Sequence, residues 1–321
     1  MKKYVIFVLL GFVFLFVVFI NSNADKSILE PLAQKEHEKQ SFTFITTGDI
    51  GLGRYVNYVI LNNTADYPFS NISEHFNSAD FVIANLENPL IKNCPVVVTG
   101  FKFCGSSENV SALVNANVKA VSLANNHATN YGLAGLQETM EVLDANGITG
   151  FGLNKKIEYL DIKGSRVALV GFVELGNNWG GLNNATEENI KNLITEANKN
   201  SDIVISAFHW GTEYTHIPTE NQRRLGHLAV DFGADIVLGN HPHWVQPIET
   251  YKDKYVIYAQ GNTIFDQDWS LKTREGVLYK FEFQNGKINM VDEKFTIIEN
   301  NSQPRFADQN ESSRIKSYIS F

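Results

Sequence analysis

The sequence predicts an α/β fold, and three observations carry that expectation. From residue 41 onward, short apolar runs alternate with amphipathic stretches. Acids, amides and histidines recur just past the C-terminal ends of those runs. After Gln246 the rhythm changes to closely spaced strand-like segments joined by tight turns. Strands alternating with helices describe a sheet covered by helices.

The candidate strands are residues 42–47 (FTFITT), 81–85 (FVIAN), 119–124 (KAVSLA), 166–172 (RVALVGF), 202–209 (DIVISAFH) and 235–239 (DIVLG). Short runs this rich in Val, Ile and Phe have the length and composition of buried strands. Between them, residues 107–117, 133–146, 186–200 and 219–232 repeat apolar positions at helical spacing. The expectation is one folded domain over 41–321 with a largely central sheet. Beyond it, PIETY, KYVIYAQ, GVLYKFEFQ and KINMVDEKFTII, with the turn pair Asn285-Gly286, predict a more antiparallel C-terminal part.

Composition narrows the function classes. Of 321 residues, 44% are hydrophobic and 19% charged, which suits a globular chain. With 27 basic and 35 acidic residues the net charge is −8, so no global basic face exists to bind nucleic acid. Two cysteines cannot build a four-thiolate zinc site. Cys94 and Cys104 bracket a short loop and are read either as a disulfide or as two thiols.

The N-terminus addresses the compartment. Lys2 and Lys3 precede an apolar run from Tyr4 to Ile20, and Ser22-Asn23-Ala24 follows. Residues 1–24 therefore read as a signal peptide or as an uncleaved membrane anchor. Residues 25–40 are polar and read as a tether. Either way, the domain is expected to work outside the cytoplasm, anchored facing outward or released after Ala24.

The chemistry gathers at strand ends. The first strand runs into Asp49 and the second into Glu87. The third ends in Asn125-Asn126-His127, the fifth in His209-Trp210-Gly211 and the sixth in Asn240-His241-Pro242-His243. Ligands of open α/β sheets sit beyond the carboxyl ends of the strands. Oxygen donors mixed with imidazoles, without thiolate, suit Zn²⁺, Mn²⁺ or Fe²⁺. In an extended segment, His241 and His243 would point to the same side. Each residue also has a structural reading. Asn126-His127 could cap the next helix, His209 could be a core histidine, and Asp49 or Glu87 a solvated acid. Five such coincidences at five strand ends are harder to arrange than one site. Arg54 could hold an anionic substrate with a bidentate fork.

The motifs TGDIGLGR (47–54), NLENPL (85–90), SLANNHA (122–128), HWGTEY (209–214), GADIVLGNHPHWVQPIE (233–249) and YAQGNTIFDQ (258–267) resemble those of the CapA family of capsule and poly-γ-glutamate biosynthesis proteins. That family in turn looks like the calcineurin-type metallophosphoesterases. The resemblance implies a four-layer α/β/β/α sandwich holding one or two divalent transition metal ions (Mn, Zn or Fe). It places Glu87 as the bridging carboxylate, with Asn126, His209 and His241 on one metal and Asp49 and His243 on the other. His127 takes the place of the catalytic histidine, and Arg54, Trp210, Glu213 and Tyr214 are expected to contact substrate. Two departures stand out. The phosphoesterase pattern begins Asp-x-His, whereas Asp49 is followed by Ile50-Gly51, and a histidine at 51 is expected to strengthen the second metal site. Asn130 stands where family members often carry Asp.

The resemblance implies an extracytoplasmic hydrolase that uses metal-activated water on a phosphoester or related bond. The alternative is a non-catalytic, membrane-tethered assembly or export subunit of a surface-polymer machine. Expected partners are other membrane subunits of a capsule or poly-γ-glutamate complex, and an anionic polymer or phosphoester.

Overall fold

The computed structural model describes residues 40–176 and 180–320, so the signal or anchor segment and nearly all of the tether lie outside the described residues. In chain order the first elements are β1 (Phe42–Ile50), α1 (Arg54–Leu61), α2 (Ser73–Asn77), β2 (Phe81–Leu86), β3 (Leu90–Ile91), β4 (Gly105–Ser106), α3 (Val110–Asn115) and β5 (Val118–Ser122). Next come α4 (Gly132–Ala145), β6 (Thr149–Phe151), β7 (Glu158–Ile162), β8 (Ser165–Val173), α5 (Glu187–Lys199), β9 (Ile203–His209), α6 (Glu220–Asp231) and β10 (Ile236–Asn240). The chain closes with β11 (Ile248–Tyr251), β12 (Lys254–Ile257), β13 (Asn262–Ile264), β14 (Glu275–Gln284), β15 (Lys287–Glu299), β16 (Gln303–Phe306) and α7 (Gln309–Lys316).

Two large sheets pack against each other, as the expected α/β/β/α sandwich requires, and β3 pairs with β4 apart from them. The first runs β16-β15-β14-β1-β2-β5-β6, with β13 also paired to β1, and the second runs β11-β12-β10-β9-β8-β7. Side chains alternate across each strand, and that alternation builds the layers. Phe42 and Phe44 of β1 and Phe81 of β2 share a core with Ile203 and Ile205 of β9 and Leu238 of β10, between the sheets. The opposite face of the first sheet, with Ile45, Val82 and Val121, packs on Val56 of α1, Leu113 of α3 and Leu143 of α4. Val204, Phe208 and Val237 of the second sheet pack on Ile190 and Ile194 of α5 and Leu225 of α6. The order is helix, sheet, sheet, helix. Each such large apolar side chain contributes about 1.5–3 kcal/mol on burial.

Two of the predicted helix starts have a local cause. Thr186 accepts from Asn189 N, and Thr219 forms a capping box with Gln222. Such caps stabilise a helix by about 1 kcal/mol. The antiparallel C-terminal strands do not form a region of their own. β11 pairs with β12, which extends the second sheet parallel to β10, while β14, β15 and β16 extend the first. An apolar run shows that both strand faces are buried, not which sheet receives it. Cys94 and Cys104 are joined in a disulfide. Among the described residues, no helix is long and apolar enough to cross a membrane.

Candidate metal centre

Parallel register brings the strand ends level. Asp49 lies beside Asn85 across β1 and β2, and Asn240 lies beside His209 across β9 and β10. Both sheets deliver residues to one edge. Asn85 holds the first sheet's share together. Its Nδ2 donates to Asp49 Oδ1 at 2.8 Å, and its Oδ1 accepts from Asn125 Nδ2 at 3.1 Å. Asn125 Oδ1 in turn accepts from the backbone N–H groups of His127 (3.2 Å) and Ala128 (2.9 Å). Asn125, not Asn126, thus closes this turn, and α4 begins only at Gly132. The Asn126 side chain is turned to the site instead, its Oδ1 2.9 Å from His209 Nε2.

Glu87 stands at the centre. It is fully buried, and its Oε1 has no hydrogen-bond partner. Around that oxygen stand His243 Nε2 at 3.7 Å, His209 Nε2 at 3.8 Å and His127 Nε2 at 4.0 Å. These distances are too long for hydrogen bonds. Ligands of one ion at about 2.0–2.2 Å from it stand roughly 3–4 Å apart, so the spacing suits a shared cation. Within the cluster, His241 Nδ1 is likewise buried without a partner. An unpaired buried carboxylate oxygen costs folding free energy, and a divalent cation removes that cost. The residues fit the metal that the sequence implies. Two overlapping groups have ligand atoms within 4.8 Å of one another: Glu87, His209 and His241, and Asp49, Glu87 and His243.

Electrostatics follow from burial and neighbours. Burial, then the Asp49 charge, pushes the Glu87 carboxyl well above its usual range. Burial also raises Asp49, but its hydrogen bond to His243 and that residue's charge outweigh it and hold Asp49 low. Burial and the His241 and His243 charges drive His209 well below the usual imidazole value. Burial and the His243 charge lower His241 to about 3. Neutral imidazoles are the metal-binding form. His243 goes the other way, because the charge of Glu87 and its contact with Asp49 outweigh burial and raise it to about 9.

The His241-Pro242-His243 segment is not extended. His241 has φ +98° and His243 φ +57°, both in the left-handed half that costs a non-glycine residue about 1–3 kcal/mol. The surroundings hold this shape: Asp49 Oδ2 accepts from His241 N at 3.2 Å, and Pro242 O accepts from Tyr214 N at 2.8 Å. The two ring centres stand 6.0 Å apart; His241 groups with Glu87 and His209, His243 groups with Asp49 and Glu87, and both meet again beside Glu213.

The four expected substrate residues fare differently. Arg54 Nε donates to both Asp266 oxygens at 3.0 and 3.1 Å, with Nη2 also on Asp266 and Nη1 on Gly100 O. Its fork is engaged within the protein, above the ring of Phe103 at 4.4 Å. Trp210 is a correction. It is fully buried, stacks on Phe208 and donates to Tyr258 O, so it cannot contact substrate. Alternation along β9 carries the signal, since Trp210 falls on the side of Val204 and Phe208. Tyr214 stacks on His243 with ring centres 6.1 Å apart, and burial, then Glu213, raises its phenol to about 12. Glu213 belongs to a third group, with His241 and His243. Sequence reasoning missed Asn85 as a hub, Asp266 as the partner of Arg54, and Asn262, whose Oδ1 meets His243 Nδ1 at 2.9 Å. Asn85 was visible at a strand end; Asp266 and Asn262 carried no local signal.

The layer order and the strand-end cluster define the class: a sandwich of the metallophosphoesterase type. The chain belongs to the bacterial capsule synthesis protein family PGA_cap, which matches residues 43–267. It is 35% identical over 254 residues to the PGA biosynthesis protein CapA of Bacillus subtilis, covering 74% of this chain and 66% of that protein. It is 30% identical over 283 residues to the capsule biosynthesis protein CapA of Bacillus anthracis, covering 82% of this chain and 68% of that one. The chain thus spans about two thirds of each relative's length, just under for the first. Among solved structures, a phosphatase from Mycoplasma pneumoniae shares the fold at a TM-score of 0.56 and 14% identity, covering 88% of this chain and all of that one.

Proposed function

We propose that this chain is a metal-dependent hydrolase of a phosphoester or related bond, acting outside the cytoplasm in capsule or poly-γ-glutamate assembly. The observation that carries the reading is the unpartnered Glu87 Oε1, buried among three imidazole nitrogens. Glu87, Asn126, His209 and His241 would hold one ion, and Asp49, Glu87 and His243 another. When bound, such an ion supplies Lewis acidity and makes water nucleophilic near neutral pH. The chain's own part is orientation and proton delivery. His127, packed on the Phe103 ring at 4.5 Å, presents Nε2 to the site, where the neutral ring would donate a hydrogen bond to the leaving oxygen and the imidazolium would pass it a proton. The family membership supports the process, and the N-terminal sequence supports the compartment. Other membrane subunits of the assembly complex are the proposed partners, with an anionic polymer or phosphoester as substrate.

A second reading is a non-catalytic assembly or export subunit. The specific observation in its favour is Gly51, which leaves Asp49 without the imidazole that the phosphoesterase pattern would supply. The test uses the purified full chain loaded with Mn²⁺ or Zn²⁺, assayed on p-nitrophenyl phosphate and bis(p-nitrophenyl) phosphate. Metal-dependent turnover that falls about 100-fold or more in His127→Ala, with metal content unchanged, is the expected result. Full metal occupancy with no turnover on either ester overturns the hydrolase and leaves the assembly subunit.

A further inference from the structure

Gly51 leaves the Asp49 and His243 side of the centre one ligand short, and the packing around it explains why an imidazole does not fit there. A Cβ on Gly51 would meet the ring of Phe265 at 2.9 Å. Phe265 is itself buried and packs on His243 with ring centres 5.0 Å apart. That side is closed by an apolar wall, so any further donor must come from elsewhere.

We infer that Glu213 is that donor, a further ligand of the centre on its His243 side. The inference rests on the metal-centre reading above. The loop after β9 is fastened to the histidine segment at two points. Trp210 N donates to Asn240 O at 3.1 Å, and Tyr214 N donates to Pro242 O at 2.8 Å. Glu213 lies between these fastenings, and its carboxylate, His241 and His243 have ligand atoms within 4.8 Å of one another. A carboxylate from the loop replaces the absent imidazole and adds negative charge to a hard-donor set, which favours Mn²⁺ or Fe²⁺ over softer ions.

The test titrates the metal-free full chain with Mn²⁺ alone, following free Mn²⁺ by its electron paramagnetic resonance signal. Glu213→Gln is expected to weaken at least one bound ion about tenfold or more. A double variant, Thr212→Glu with Glu213→Gln, restores the charge one residue away and should stay weak. Wild-type affinity in Glu213→Gln overturns the inference and leaves the metal-centre reading standing. Recovery in the double variant also overturns it, because the effect is then charge without ligation. A wild-type chain that binds no Mn²⁺ overturns both.

Discussion

Asn130 Nδ2 lies 3.0 Å from His127 Nδ1 and 3.1 Å from the carbonyl oxygen of Phe101. A carbonyl oxygen only accepts, so the amide presents its NH₂ to both neighbours. His127 Nδ1 is therefore the acceptor, and the proton of the neutral ring sits on Nε2, the nitrogen nearest Glu87. Burial, then the charges of His243 and Arg54, lowers this imidazole to about 4.

Asn130→Asp replaces the donor by a charged acceptor. The proton should move to Nδ1, and the His127 pKa should rise from about 4 by at least one unit. Nitrogen-15 NMR of the metal-free chain across pH 3–8 reads both quantities. A ring that still titrates near 4 with the proton on Nε2 would refute the role given to Asn130.

The same depressed pKa has a consequence for stability. The unfolded chain takes up the His127 proton near pH 6.5, whereas the folded chain does so only near 4. This group therefore weakens the fold as pH drops from about 6.5 toward 4. His127→Gln removes that penalty, so the variant should lose roughly 2 kcal/mol less than wild type between pH 7 and 5. Urea unfolding of the two metal-free proteins at both pH values measures the difference, and equal losses would contradict it.

The Cys94–Cys104 disulfide closes the loop that walls the site. That loop gives Gly100 O to Arg54, Phe101 O to Asn130 and the Phe103 ring to His127. Replacing both cysteines by serine should cost about 2–3 kcal/mol of stability through loop entropy. The His127 pKa should move up toward 6.5 as its cover loosens, with metal content unchanged. Unfolding curves and the same NMR titration check both; an unmoved pKa would show that the loop holds its place without the bond.

Gly51→His is expected to fail as a repair of the second site. Its Cβ meets the buried Phe265 ring at 2.9 Å, so overpacking should cost about 1–3 kcal/mol. Metal stoichiometry should not rise. Elemental analysis of the full chain decides it, and a gained equivalent would restore the expectation drawn from sequence.

Trp210→Phe should act on stability alone. It removes the 2.8 Å hydrogen bond to Tyr258 O and part of the ring stacked on Phe208, at a cost of about 1–3 kcal/mol. Metal content should match wild type. Urea unfolding checks the first statement, and a lowered metal content would return Trp210 to the site.

The site was legible because its residues follow apolar runs directly. Asp49, Glu87, Asn126, His209 and His241 all mark the end of a strand, and strand ends are where an α/β sheet exposes polar groups. The pairing of Arg54 with Asp266 was not legible, since 212 residues separate them. Nor was the wall that Phe265 builds beside Gly51, which depends on β13 lying parallel to β1.

By itself, then, the order of residues along the chain determined which segments become strands, which helices start at Thr186 and Thr219, and which acids and histidines end up at strand ends. Hydrophobic period and capping chemistry act over a few residues, so they can be read locally. Only the tertiary structure decided which strand joins which of the two sheets, that Arg54 is engaged by Asp266, and that His241 and His243 turn through left-handed backbone. Those outcomes depend on contacts between residues far apart in sequence, where the packing of the other sheet sets the direction of each side chain.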